Sequence, residues 1–200
     1  FYCQKLSDKV NKPQNSPKQR TIAGLVAILI TIVPIAIILY LFEAFIEVTI
    51  LWQAFLLYIA MGSFDLANIN KVIAQALVAK QNYVAKQTLK PWVLRETEQL
   101  SSLGLSKSCI EMQLLRTLQQ GYTVAIIFLL AGPLAALSYR LLLEIHYCWN
   151  TKLVSYQYFG LYSKRLINIL QWLPVRVFSL LLLFTSIGKN FILFWHLSKQ

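Results

Sequence analysis

Residues 122–143, YTVAIIFLLAGPLAALSYRLLL, constrain this chain more than any other stretch. The run has about the length a helix needs to cross a bilayer, and its one charge, Arg140, lies near its end. Gly132-Pro133 interrupts its middle. Proline removes a ladder donor and its ring clashes with the preceding turn, so the run must kink there or divide into two half-helices. Tyr139 and Arg140 follow on the exit side, the residue types that settle at a headgroup layer. An ordinary spanning helix with a tolerated proline fits the same residues.

Composition decides between a buried core and a membrane. The chain is 57% hydrophobic and 14% charged, with a mean hydropathy of +0.55, whereas soluble domains carry about 25% charged residues. This is membrane composition, and membrane lipids are the expected partners. The chain opens on Phe1, so the native start, with any signal or earlier span, is expected upstream. The net charge of +11 sits largely outside the apolar runs, where cations set topology and meet anionic lipid. No nucleic-acid motif accompanies it, so nucleic acid is not an expected partner. Cys3, Cys109 and Cys148 are far apart in sequence and form no C-x-x-C pair, which argues against a disulfide framework. His146 and Cys148 lack a second pair of ligands nearby, so no metal site is expected.

In chain order, residues 1–20 form a basic juxtamembrane segment with Lys5, Lys9, Lys12, Lys18 and Arg20 against Asp8. It reads as a cytoplasmic surface loop. Residues 21–64 read as a transmembrane helical hairpin: an uncharged span over 21–42 with Pro34, a turn at Glu43 and Glu47, and a shorter apolar run over 48–64. Residues 65–121 read as a cytoplasmic amphipathic region. Leu66, Ile69, Val72, Ile73, Ala76 and Leu77 recur at helical spacing, and Pro91 must end that helix. Ser108-x-x-Glu111 has the form of a capping box that opens the next helix. Residues 122–200 hold the broken helix and the last apolar stretch, which Lys164 and Arg165 open and in which Arg176 lies. An arginine in a span must face protein, water or the interface. A complete third crossing puts Lys152, Lys164 and Arg165 outside, against the charge rule. A re-entrant third segment keeps them inside, and the charge rule favours it.

The fold expected is therefore all-α: a single polytopic membrane helical bundle of about four hydrophobic segments, with a Gly-Pro-broken, re-entrant helix and amphipathic cytoplasmic helices.

Arg95-Glu96-Thr97, Leu100, Gly104 and Ile110-Glu111, followed by Gly132-Pro133, Tyr139-Arg140, Phe159-Gly160, Arg165 and Pro174-Val175-Arg176, form a pattern. In order and spacing it resembles the cobalamin-biosynthesis CobD/CbiB membrane proteins. The run QWLPVR over 171–176 is similar to the version in the related AmpE proteins, which are tied to β-lactamase induction. The resemblance implies a multi-pass protein of the bacterial inner membrane and a longer parent chain. For members with synthase activity, it implies an ATP- and magnesium-dependent ligase that joins adenosylcobyric acid to aminopropanol phosphate. A corrinoid or a phosphate-bearing small molecule is then the implied ligand. Arg140, Lys164, Arg165 and Arg176, helped by Arg95, would hold anionic groups. Glu111 and Glu96 would be the surviving catalytic carboxylates.

The chain departs from the family pattern selectively. Glu96 stands where an aspartate is usual. Leu115, Arg116 and Gln119 replace acid, asparagine and acid; His146 replaces an aspartate, and Ile167 and Asn168 an aspartate pair. Carboxylates have thinned while cations remain, and no G-x-x-x-x-G-K-[ST] loop compensates. A non-catalytic, AmpE-like membrane modulator is the alternative these departures favour. A transporter with a midplane site ranks last, since no internal repeat is visible.

Overall fold

The computed structural model describes residues 2–62, 66–93 and 96–197. Those residues are helical, with no strand among them, and three helical runs are long and apolar enough to cross a membrane: Pro17–Glu43, Ser102–Cys148 and Leu161–Phe184. The helices group into two compact units, one of residues 1–60 with 122–200 and one of residues 61–121.

The first unit begins with α1, Tyr2–Val10, followed by α2, Pro17–Glu43. The N-terminal segment is thus largely helical rather than a loop. Cys3, Leu6, Ser7 and Val10 recur at helical spacing and form its less exposed stripe, which a reading of charge alone passes over. Helix α2 opens with a capping box in which Ser16 Oγ accepts from the Gln19 amide and the Gln19 side chain accepts from the Ser16 amide. Pro17 suits the first helical position, where its missing N–H would have no partner anyway. Helix α3, Thr49–Met61, is a shorter apolar helix, below the length needed to cross a membrane.

Helix α7, Thr123–Cys148, contains the break. Gly132 has φ 84° and ψ −179°, a region open in practice to glycine alone. The side chains of Thr123 and Tyr139 hydrogen-bond to each other. Sixteen residues of straight helix would separate them by roughly 24 Å. The chain therefore turns back on itself at Gly132-Pro133. Length and composition alone make this run a spanning rod; the reversal makes α7 two short helices instead. Leu129 and Leu130 are 80% and 70% exposed beside the turn, and a Cβ at Gly132 would meet nothing within 4 Å.

Helix α8, Leu161–Leu197, packs on α7 and α2. Tyr139 pairs with Gln171, and His146 lies near enough to Lys164 to feel its charge. Seven residues separate each partner from the next on its helix, in opposite directions, so the second half of α7 runs antiparallel to α8. The linker between them returns to the start of the chain. Trp149 Nε1 donates to the Cys3 carbonyl at 3.0 Å, and Asn11 Nδ2 donates to the Ser155 carbonyl at 2.8 Å. Arg20 donates from Nε to Asn11 Oδ1 at 2.8 Å and from Nη2 to the same Ser155 carbonyl. Trp149 and Phe159, both fully buried, meet edge to face at 4.7 Å. Gly24 of α2 lies so close to the Phe159 backbone that a Cβ would fall 2.0 Å from the Phe159 carbonyl oxygen. Lys152 and the start of α8 thus share an end with the basic N-terminal segment.

The second unit holds α4, Leu66–Val78, α5, Asn82–Leu89, and α6, Ser102–Arg116. Ile73, Ala76, Ala85, Leu89, Leu105, Cys109 and Met112 form its core. Helix α4 stops well before Pro91, because Lys80 takes a left-handed conformation, φ 58°. Pro91 instead lies in a tight turn, Lys90–Trp92, directly after α5. Helix α6 opens seven residues earlier than the Ser108 motif suggests: Ser101 Oγ accepts from the Gly104 amide at 3.2 Å, and Ser108 is buried inside the helix.

Candidate functional site

The cations singled out in the sequence on α7 and α8 are held in different ways. Arg140 Nη2 lies 2.7 Å from Glu144 Oε1, one turn on, with side-chain exposures of 15% and 51%. Its guanidinium is thus mostly withdrawn from the surface while its partner stays half open. The neighbouring Tyr139 is buried and accepts from Gln171 Nε2 at 2.9 Å, which fixes α7 against α8 at this level. One face of α7 therefore supplies packing and the adjacent one a cation, a division that the i, i+1 offset of a helix provides.

Lys164 and Arg165 lie exposed in the first turn of α8. Lys164 faces His146, whose Nδ1 is buried and has no hydrogen-bond partner among the described residues. Arg176 stacks on Trp172, with its guanidinium carbon 4.2 Å from the ring centroid, a cation–π contact that gives this arginine a protein surface. Eleven helical residues place Arg176 roughly 16 Å along α8 from Arg165. One small anion cannot touch both. Lys164 and Arg165 lie at the basic, linker end of this unit, while Arg140, beside Tyr139 and so level with Gln171, lies about midway along α8 between Arg165 and Arg176.

Arg20 is the residue the sequence reading missed. It joins Asn11, the Ser155 carbonyl and the Tyr158 ring, 5.8 Å from its guanidinium carbon, and so adds a cation to that end. Its signal was weak: one more cation in a basic segment. Cys3 and Cys148 also meet through their thiols, and burial pushes the Cys3 thiol up from its usual value, with the Cys148 hydrogen bond partly offsetting this. Sequence separation hid that pair.

The second unit carries Glu96 and Glu111, the carboxylates singled out in the sequence. Glu96 and Glu111 are both exposed, and Arg95 lies outside the described residues. Glu111 engages a neighbour within the chain. Among the described residues no three of His, Cys, Asp and Glu gather where they could hold a metal ion. With Glu144 engaged by Arg140, this donor set does not fit a protein-built magnesium cage.

Comparison with known proteins gives a consistent answer. The CobD/Cbib protein family matches residues 2–199. The cobalamin biosynthesis protein CobD of Chromobacterium violaceum is 30% identical over 125 residues, covering 62% of this chain and 40% of that protein. CobD of Leptospira interrogans is 27% identical over 139 residues, covering 68% and 44%. CobD of Stutzerimonas stutzeri is 24% identical over 154 residues, covering 77% and 51%. The chain spans about half the length, or less, of the curated relatives it matches. No solved structure matches it.

Proposed function

Because the chain belongs to the CobD/CbiB family, we propose that it acts in cobalamin biosynthesis as a multi-pass protein of the bacterial inner membrane. The step is the one that joins aminopropanol phosphate to adenosylcobyric acid. The observation that carries this reading, beyond the family match, is the basic end that holds Arg20, Lys164 and Arg165, with Arg140 further along α7. It lies where the linker meets the N-terminal segment. Both substrates are anionic, and guanidinium groups hold carboxylate and phosphate by paired, charge-assisted hydrogen bonds. A re-entrant loop under that end keeps the cations on the cytoplasmic side, where such substrates would be found.

The full gene, expressed in a strain lacking the amide-forming step, restores cobalamin formation if this reading holds. Membrane-located protein with no cobalamin formed would end it.

The loss of family carboxylates at Leu115, Gln119, His146 and Ile167 favours a second reading, an AmpE-like modulator without catalysis. Anion binding needs no metal site, so the retained cations fit that role as well. Deletion would then alter β-lactamase induction and leave cobalamin levels untouched.

A further inference from the structure

Residues 61–121 contain a polar cleft that the reading above does not use. It measures about 290 Å³ and is lined by Tyr83, Lys86, Gln87, Lys90, Thr97 and Glu98. The first four lie on α5 and the turn after it, at i, i+3, i+4 and i+7, one face of a helix. The chain after the turn forms the opposite wall. Two ammonium groups converge on Glu98: Lys90 Nζ lies 3.1 Å from its carboxylate, and Lys86 Nζ donates to its backbone carbonyl. Thr97 is 1% exposed, and its hydroxyl has no hydrogen-bond partner among the described residues. The hydroxyl is closed to solvent as it stands, so a small turn of the Thr97 side chain would bring it to an occupant; left unbonded, a buried hydroxyl is costly.

We propose that this cleft is a binding site for a dianionic phosphate group. The Glu98 carboxylate occupies the place of the ligand when the site is empty. Its side chain is 76% exposed, so the ion pair with Lys90 is weak and readily exchanged. A phosphate dianion would take Lys86 and Lys90 as charge-assisted donors and the Thr97 hydroxyl as a third, and Glu98 would swing out to solvent. The volume lies at the small end of ligand pockets, roughly 300–1,000 Å³. It fits a phosphate on a short organic body. The site stands on this unit's own geometry and does not depend on the proposed pathway step.

The phosphate could arrive on a soluble ester or on a lipid headgroup, and one chemistry tests both. The chain in phosphatidylcholine nanodiscs is titrated with glycerol phosphate by calorimetry. In parallel, retention of phosphatidic acid against phosphatidylcholine is read by native mass spectrometry. Binding in the first arm alone identifies a soluble ester, and in the second alone a lipid; either supports the site. Lys86→Gln with Lys90→Gln should weaken binding about tenfold or more. Thr97→Val should weaken it severalfold while keeping the unfolding temperature. Glu98→Gln removes the internal competitor and should tighten binding severalfold, a gain that misfolding cannot mimic. Absence of binding in both arms, or binding indifferent to all three changes, overturns the proposal.

Discussion

Gly132→Ala separates a folded-back α7 from a straight one by the sign of its effect. In a straight helix, alanine for glycine stabilises by about 0.8–1.0 kcal/mol. Gly132 instead has φ 84° and ψ −179°, where an L-residue costs of order 1–3 kcal/mol. A Cβ there would touch nothing within 4 Å, so crowding contributes nothing and the whole effect is backbone strain. For a chain of this size each kcal/mol moves the melting temperature by about 2–4 °C. The expected result is a fall of roughly 2–12 °C on the same scale. The assay is thermal unfolding of the purified chain in detergent, followed by far-ultraviolet circular dichroism. Gly104→Ala is the control: its Cβ would come tightest on the flexible end of Leu100, at 3.3 Å, with Ser101 Oγ and Leu100 Cβ at ordinary contact, 3.5 and 3.6 Å. It should melt at or slightly above the parent. If Gly132→Ala rises with Gly104→Ala, the reversal at Gly132-Pro133 does not exist.

Three further outcomes follow from the first unit. Gly24→Ala would put a Cβ 2.0 Å from a backbone oxygen, where ordinary contact begins at 3.4 Å, so α2 or the linker must move by more than an ångström. Overpacking costs typically about 1–3 kcal/mol, enough to outweigh the helix-propensity gain, and the melting temperature should fall. Cys3 and Cys148 should form an intramolecular disulfide under mild oxidant, seen as a gel shift that Cys3→Ser abolishes. Since burial raises the Cys3 thiol, crosslinking should speed up as the pH is raised above neutral; no crosslink at any pH would mean α1 is not docked. Glu144→Gln leaves Arg140 charged and mostly withdrawn. With Glu144 half exposed, the loss should be about 1 kcal/mol, read by chemical denaturation and reduced further by salt.

How legible this was depends on the range of the interaction. Composition and uninterrupted apolar runs report local burial, so α2, the short α3 and the break at Gly132-Pro133 could be read directly. The charge pattern also favoured the re-entrant path, because Lys152, Lys164 and Arg165 need the side that Lys5 to Arg20 occupy. What escaped were contacts between distant residues. Nothing in the sequence ties Arg20 to Ser155, Trp149 to Cys3 or Tyr139 to Gln171. The antiparallel pairing that makes them is set by packing, not by any one segment. Local signals also competed: Ser101 and Ser108 both resemble caps, and only the burial of Ser108 decides between them. The candidate site was half legible for the same reason. Arg140, Lys164 and Arg165 stood out in the sequence from their place beside apolar runs. The phosphate cleft depends on α5 meeting the chain at Thr97 and Glu98, which no periodicity reveals.

The central claim is that this chain serves cobalamin formation and not envelope signalling. It is tested most directly by deleting the gene in its own host and measuring cobalamin content and β-lactamase induction in the same cultures. The account predicts that cobalamin falls and returns with the gene, while induction is unchanged. Unchanged cobalamin with altered induction would contradict it.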